Sequence, residues 1–153
     1  MRLIAIGALA LGASAGAIAQ QGQPPGAMFC DPGSYPYDAV AAAPYSHRVL
    51  FEDEHVRVLE INLPALATEP IHIHALPSVI MGETGGAGGA KFRYTEYEMK
   101  NGKFVEVAHN DVEPSAGYRA VWSGPEGPHA ITNIGQVGVK FQRVEIKPES
   151  CAK

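Results

Sequence analysis

The chain has little cysteine, little charge and no cluster of basic residues. Only 2 of its 153 residues are cysteine and 18% are charged, with a formal net charge of −4. The cysteines lack the Cys-x-x-Cys spacing of zinc ribbons and of thioredoxin-like redox motifs. The dispersed lysines and arginines offer no basic surface for nucleic acid and no polybasic segment for anionic lipid. We therefore expect neither a nucleic-acid partner nor a cysteine-based metal site.

Beyond residue 19, the sequence also lacks long apolar runs and helical periodicity. No stretch is apolar over the roughly 20 residues that a membrane-spanning helix needs. No window of about 11 residues places apolar positions at the 3.6-residue period of a helix. Eight or nine short runs of β-forming residues are instead separated by turn signals, among them Asn101-Gly102. This pattern predicts an all-β sandwich or barrel.

The N-terminal segment has the pattern of a signal peptide. Arg2 supplies a positive start, residues 3–16 form an uncharged apolar run, and Ala17-Ile18-Ala19 matches the small-x-small cleavage pattern. We expect residues 1–19 to be removed, which predicts a periplasmic or secreted protein without a membrane segment. An uncleaved anchor is the alternative, although the run is short for a span of about 20 residues.

The rest of the sequence divides into three parts by composition. Residues 20–44 are rich in proline, glycine and alanine, which predicts an extended arm with one helical turn at residues 38–43. Residues 45–147 carry the strand pattern and form the single predicted domain. Within this domain, the glycine-rich residues 85–89 interrupt the strands. Residues 148–153 are a C-terminal tail.

Cys30 and Cys151 lie near the two ends of the predicted mature chain. Export would place them in an oxidising compartment, where disulfides persist. We therefore predict a Cys30–Cys151 disulfide that ties the arm to the tail. Two free thiols on frayed ends are the alternative.

Three histidines have the spacing of a metal site. His72 and His74 are two residues apart, so on a strand their side chains share one face. His129 follows the proline- and glycine-punctuated residues 124–128, which predict a rigid turn. Three neutral nitrogens meeting inside a β-barrel would bind Zn, Fe, Ni or Cu and leave positions open. Exposed histidines on an edge strand are the alternative, and we expect the other histidines (His47, His55 and His109) to lie at the surface or at strand ends.

These motifs resemble the two motifs of the cupin superfamily. The first cupin motif contains His-x-His, here His72-Ile73-His74, followed by a glutamate. The second contains Pro-x-Gly, then a histidine and an asparagine, here Pro125-Glu126-Gly127, His129 and Asn133. The resemblance implies a single-domain jelly-roll β-barrel with a divalent transition metal in its mouth. By correspondence with the family, its ligands are His72, His74 and His129.

The glutamate of the first motif is missing from this chain. Ser78 or Val79 stands where the resemblance expects it, so the predicted ligands are imidazoles alone. Glu69 and Glu126 are carboxylates near the motifs, but the offset of Glu69 disfavours the same face and Glu126 is expected to point outward. Asn133 shares a face with His129 and is expected to be a hydrogen-bonded structural amide. The side chains considered for supporting or substrate-binding roles are Ser78, Glu69, Glu126 and Asn133.

The resemblance implies a metalloprotein that acts on a small organic substrate. Dioxygenase, isomerase and lyase chemistry all fit such a site, and the sequence assigns no catalytic residue. The alternative is a non-catalytic module of the cell envelope that binds a metal or a small ligand. By resemblance, a homodimer is also expected.

Overall fold

The computed structural model describes residues 30–83, 90–114 and 117–151, which form two β-sheets preceded by a short helical part. A 3₁₀ turn (Pro32–Ser34) and the helix α1 (Ala39–Ala42) come first, and a second 3₁₀ turn (Glu149–Cys151) comes last. The nine described strands are β1 (His47–Glu52), β2 (Val56–Leu63), β3 (His72–His74), β4 (Ser78–Glu83), β5 (Phe92–Lys100), β6 (Lys103–Val112), β7 (Tyr118–Ser123), β8 (Glu126–Asn133) and β9 (Val139–Ile146).

The strands form two antiparallel sheets that face each other. One sheet has the order β1-β2-β9-β4-β7 and the other has the order β3-β8-β5-β6. His74 of β3 contacts Glu145 of β9, and Asn133 of β8 donates to the carbonyl of Leu63 in β2, so side chains of both sheets meet in one interior. The predicted all-β jelly roll is confirmed, with two facing sheets in the described residues rather than one closed sheet.

Strand β2 shows why the interior lies between the sheets. Its odd-numbered residues are buried and its even-numbered residues are more exposed, as period-2 alternation requires. Leu59, Ile61 and Leu63 are the apolar members of the buried face, and each is at most 3% exposed. Arg57 lies on this same face, so the alternation of the strand places one charged side chain in the interior.

Strand bounds differ from the sequence prediction at two places. Strand β8 begins at Glu126, whereas residues 124–128 were predicted to be a turn, because Glu126 pairs with His74 in β3. The run of β-forming residues after Gly102 predicts a strand that ends near residue 107, but β6 continues to Val112 because it pairs along the whole of β5. The hairpin between β5 and β6 is as predicted, with Asn101 and Gly102 at φ values of 51° and 76°, the left-handed pair of a two-residue turn.

The described part of the N-terminal arm packs against β3. The backbone N–H of Ile73 donates to the carbonyl of Tyr37 at 2.8 Å, and Asp38 forms a parallel bridge with Ile73. Asp38 also caps α1 by accepting from the N–H of Val40 at 3.0 Å. The helix matches the helical turn predicted at residues 38–43.

Several sequence predictions fall on residues outside the described part of the chain. The predicted signal peptide at residues 1–19, the first part of the arm and the glycine-rich residues 85–89 are among them. In the described residues, no helix has the length and apolar character needed to cross a bilayer.

The predicted Cys30–Cys151 disulfide is present and links residues 121 positions apart. Replacing both cysteines with serine should lower the free energy of unfolding by about 2–4 kcal/mol, because the bond restricts a long loop of the unfolded chain. Urea unfolding of the oxidised protein and of the double variant measures the difference. Equal midpoints would contradict the prediction, and mass spectrometry without reductant checks that the bond is intact in the starting material.

Candidate metal centre

The rings of His72, His74 and His129 converge in the interior. His72 and His74 face the same way from β3, and the pairing of β3 with β8 sets His72 opposite His129. Their ring centroids are 4.4 Å apart for His72 and His129, 5.2 Å for His72 and His74, and 5.6 Å for His74 and His129. All three residues are at most 2% exposed.

His47 joins this cluster, which corrects the prediction that it lies at the surface. It is the first residue of β1 and is 3% exposed, whereas the rest of β1 is exposed. Its ring centroid lies 4.6 Å from that of His72 and 5.3 Å from that of His74. The backbone N–H of His47 donates to the carbonyl of Ala43, so α1 turns this end of β1 into the interior. The cluster therefore contains four imidazoles.

Two overlapping groups of donor atoms lie close enough to share a small ion. One atom from each of His47, His72 and His74 lies within 4.8 Å of the others, and the same holds for His74, Glu126 and His129. His74 belongs to both groups, so the five side chains surround one region. The predicted trio is divided between the groups, and its ligation of a metal stays a prediction.

Hydrogen bonds at Nδ1 orient the three predicted ligands. His72 Nδ1 lies 2.8 Å from the carbonyl of Pro70, and His129 Nδ1 lies 2.8 Å from the carbonyl of Gly127. A carbonyl oxygen only accepts, so both rings carry their proton on Nδ1 and leave the Nε2 lone pair free. Partners of this kind set the tautomer and direction of metal-binding histidines.

The donor set fits a transition metal. Burial lowers the pKa of His72 to about 2 and that of His47 to about 4, and it also lowers the pKa values of His74 and His129. The rings are therefore neutral near pH 7, the form that binds metal. His72 Nε2 is buried and has no hydrogen-bond partner among the described residues. A metal ion would supply the missing partner.

Comparison with solved structures agrees with the resemblance read from the motifs. No family model matches the sequence, and no curated protein matches it. The structure is similar to a cupin domain from Bordetella pertussis Tohama I, with a TM-score of 0.50 and 17% identity over 67% of this chain and 92% of that one. This chain has the cupin fold. An RmlC-like cupin family protein from Methanocaldococcus jannaschii matches with a TM-score of 0.45 and 16% identity, over 66% of this chain and 78% of that one. Likeness at these identities shows the fold and leaves the reaction open.

A buried ionic network supports His74. Its Nδ1 lies 2.8 Å from Glu145 Oε1, and Glu145 Oε2 accepts from Arg57 Nε at 2.6 Å. Arg57 then holds both carboxylate oxygens of Asp38, at 2.9 and 2.7 Å. Burial opposes the charge on Arg57, but its hydrogen bonds and charge pairing with Asp38 and Glu145 outweigh burial and raise the pKa of Arg57. The network thus connects the N-terminal arm to a candidate ligand.

Glu126 points into the site, which corrects the expectation that it faces outward. Residue 126 is the first residue of β8 and not part of a turn. The carboxylate of Glu126 accepts from the Ser123 hydroxyl at 2.7 Å and from Arg143 Nη1 at 2.8 Å. Its Oε2 lies 3.8 Å from His129 Nε2. Burial raises the pKa of Glu126, but the charge of Arg143 and the Ser123 hydrogen bond outweigh burial and lower it.

Glu69 also reaches the cluster, against the expectation from its offset. It lies before β3, in a loop whose backbone bonds to the carbonyl of Ile131, so strand parity does not govern its direction. Its Oε2 is 3.9 Å from His72 Nε2, and burial raises its pKa to about 7. Neither carboxyl oxygen has a hydrogen-bond partner among residues 30–83, 90–114 and 117–151.

The remaining predicted residues divide by role. Asn133 is the structural amide expected from the sequence, since it donates to the carbonyls of Leu63 and Val137 and accepts from the N–H of Gly135. Ser78 is buried opposite Glu145 in the pairing of β4 with β9, and its hydroxyl has no partner within the described chain. The exposed histidines are as expected; they are His55 and His109.

Sequence reasoning missed four residues of the site: His47, Arg57, Arg143 and Glu145. Strand parity held a usable signal for the three charged ones. Arg57 lies on the same face of β2 as the buried apolar residues of that strand. Arg143 and Glu145 are two residues apart on β9, so they also share one face. A charged residue at an interior parity position indicates a buried ionic or functional role.

Proposed function

We propose that this cupin binds one divalent transition metal through His72, His74 and His129, with His47 as a fourth imidazole beside them. The observation that carries the proposal is the set of Nδ1 contacts at 2.8 Å to Pro70, Gly127 and Glu145, which leaves the Nε2 atoms free to bind metal. Neutral imidazole donors favour Zn, Fe(II), Ni or Cu over Mg or Ca.

We propose further that the metal centre acts on a small organic substrate, as a dioxygenase, an isomerase or a lyase. When bound, such a metal supplies a Lewis acid or a redox centre. The chain supplies the surroundings: the two sheets bury the imidazoles, Glu145 fixes the direction of His74, and Glu126 and Glu69 place carboxyl oxygens within 4 Å of Nε2 atoms. These carboxyls are the groups positioned to hold a proton near the site.

Export is part of the same proposal. The signal-like residues 1–19 predict translocation, and the Cys30–Cys151 disulfide supports it because disulfides persist in oxidising compartments. A periplasmic or secreted metal centre would meet small molecules of the envelope or of the medium.

Elemental analysis of the untagged protein, isolated without added metal, tests the proposal. We expect close to one equivalent of iron, zinc, nickel or copper, removed by a chelator and restored by titration. Turnover of small organic acids or aldehydes by the metal-loaded protein would support catalysis. Stoichiometric binding of the metal or of such a compound, without any product, would support the non-catalytic alternative. If the protein bound none of these metals at micromolar metal concentration, the result would contradict the proposal.

The carboxylate of Glu145 should control metal affinity without touching the metal. We expect Glu145→Gln to lower the affinity for Zn²⁺ about 10–100-fold, because a side-chain partner of a ligating histidine contributes that much. Competition with a chromophoric chelator measures the affinity. Glu106→Gln is the matched control, since Glu106 contacts the exposed His109 at 2.8 Å in the same way. An equal effect of the two variants would contradict the assigned role.

A further inference from the structure

Arg143 is a buried arginine whose hydrogen bonds are only partly made. Its side chain is 5% exposed, and Nη1 donates to Glu126 Oε2 at 2.8 Å. Nε and Nη2 are buried and have no hydrogen-bond partner within the part of the chain that the structure describes. Leaving buried donors of a charged group without acceptors is costly, so we expect a ligand or water to bind at Nε and Nη2.

The two atoms without acceptors lie on the same edge of the guanidinium. The N–H groups on that edge are parallel, and their spacing matches the two oxygens of a carboxylate. Arg57 shows the contrast within the same interior, because its Nε bonds to Glu145 and its Nη1 and Nη2 bond to Asp38. Arg57 therefore has carboxylate oxygens on every nitrogen, whereas the Nε and Nη2 edge of Arg143 has no acceptor among the described residues. We call this buried, unpaired edge the open edge.

The open edge lies beside the candidate metal centre. Arg143 and Glu145 are two residues apart on β9 and share its inner face, and Glu145 contacts His74. Glu126, the partner of Arg143 Nη1, lies 3.8 Å from His129 Nε2. The positive charge of Arg143 also contributes to lowering the pKa of His74 and of His129, as expected for a neighbouring cation.

We propose that the Nε and Nη2 edge of Arg143 binds the carboxylate of a small organic acid next to the histidine cluster. The position of the rest of that molecule, directed toward a metal, rests on the proposed function, but capture of the carboxylate needs only the guanidinium. The substrate class is therefore small carboxylic acids, in preference to neutral sugars. A molecule held in this way has its carboxylate on Arg143 and its adjoining atoms against the imidazoles.

Titration of acetate into the disulfide-intact protein, at constant ionic strength, tests the proposal. The probe is the ¹⁵N and ¹H signal of Arg143 Nε, assigned by through-bond correlation from the Arg143 backbone. We expect acetate to shift this signal saturably in the metal-free protein and its neutral analogue acetamide to leave it unchanged. Arg143→Lys should weaken acetate binding at least 10-fold, because an ammonium lacks the planar fork. Arg48→Lys, at an exposed pair with Glu60, should leave binding unchanged.

The outcomes separate this inference from the proposed function. A saturable acetate shift without any metal binding would support the role of Arg143 and overturn the metal proposal. Normal metal binding without an acetate shift, in both metal-free and Zn²⁺-loaded protein, would overturn the role of Arg143, and the open edge would then hold water only. An equal shift with acetamide would also overturn it. The signal of the unchanged protein decides the matter if Arg143→Lys does not fold.

Discussion

Replacing His129 with alanine should lower the affinity for Zn²⁺ by more than about 100-fold. Loss of a supporting residue of a metal-binding histidine already costs about 10–100-fold, so loss of the ligand itself should cost more. His129 is 1% exposed, and its Nδ1 is held by the carbonyl of Gly127, so its Nε2 has a defined direction. The affinity is measured by competition with a chromophoric chelator at pH 7, where the imidazole is neutral because burial lowers its pKa.

Two further variants define the donor set. His109→Ala is the control, because His109 is exposed and its ring bonds to Glu106 at 2.8 Å, away from the buried cluster, and this variant should bind Zn²⁺ like the unchanged protein. His47→Ala should weaken binding, since a donor atom of His47 lies within 4.8 Å of those of His72 and His74. Equal affinities of His129→Ala and His109→Ala would remove His129 from the proposed ligands. Far-UV circular dichroism of each metal-free variant shows whether the fold is kept.

Replacing Arg57 with methionine should lower the free energy of unfolding by about 3–5 kcal/mol. The side chains of Arg57, Asp38 and Glu145 are at most 1% exposed, so removal of the cation leaves two carboxylates buried without their charge partner. Breaking a buried ion pair in this way typically costs about that much. Urea unfolding at pH 7 in the presence of a chelator measures the change without the added stability that bound metal contributes.

The matched control for Arg57 is a surface arginine. Arg48 pairs with Glu60 across two strands at 3.0 Å, but its side chain is 69% exposed, so Arg48→Met should change stability little. Adding Asp38→Asn to Arg57→Met should recover part of the lost stability, because it removes one uncompensated charge. A loss for Arg57→Met no larger than that for Arg48→Met would show that the buried network does not support the fold.

Local patterns in the sequence predicted much of the strand framework. Alternation in β2, the Asn101-Gly102 hairpin and the helical turn after Asp38 were all readable, because each depends on residues close in the chain. Residues 124–128 were misread because proline and glycine indicate a turn, whereas pairing with β3 draws Glu126 into a strand. A long-range partner therefore overrode the local signal.

The candidate site was predictable to the extent that it depends on a repeat of two residues. His72 and His74 share a face wherever the strand lies, so their convergence follows from strand geometry. His47 was read as a surface residue because it flanks the first hairpin, whereas its backbone bond to Ala43, the residue that follows α1, holds this end of β1 in the interior. Glu69 was set aside by a parity argument that does not apply, since Glu69 precedes β3.

By itself the sequence determined the all-β content and the shared face of His72 and His74, and it predicted the pairing of the two cysteines. Only the tertiary structure decided which charged groups surround those rings. The contact between His74 and Glu145 joins residues 71 positions apart, and that between Arg57 and Glu145 joins residues 88 apart. Parity shows that such side chains point inward, but the order and facing of the two sheets determine which of them meet, and that order is a property of the folded chain.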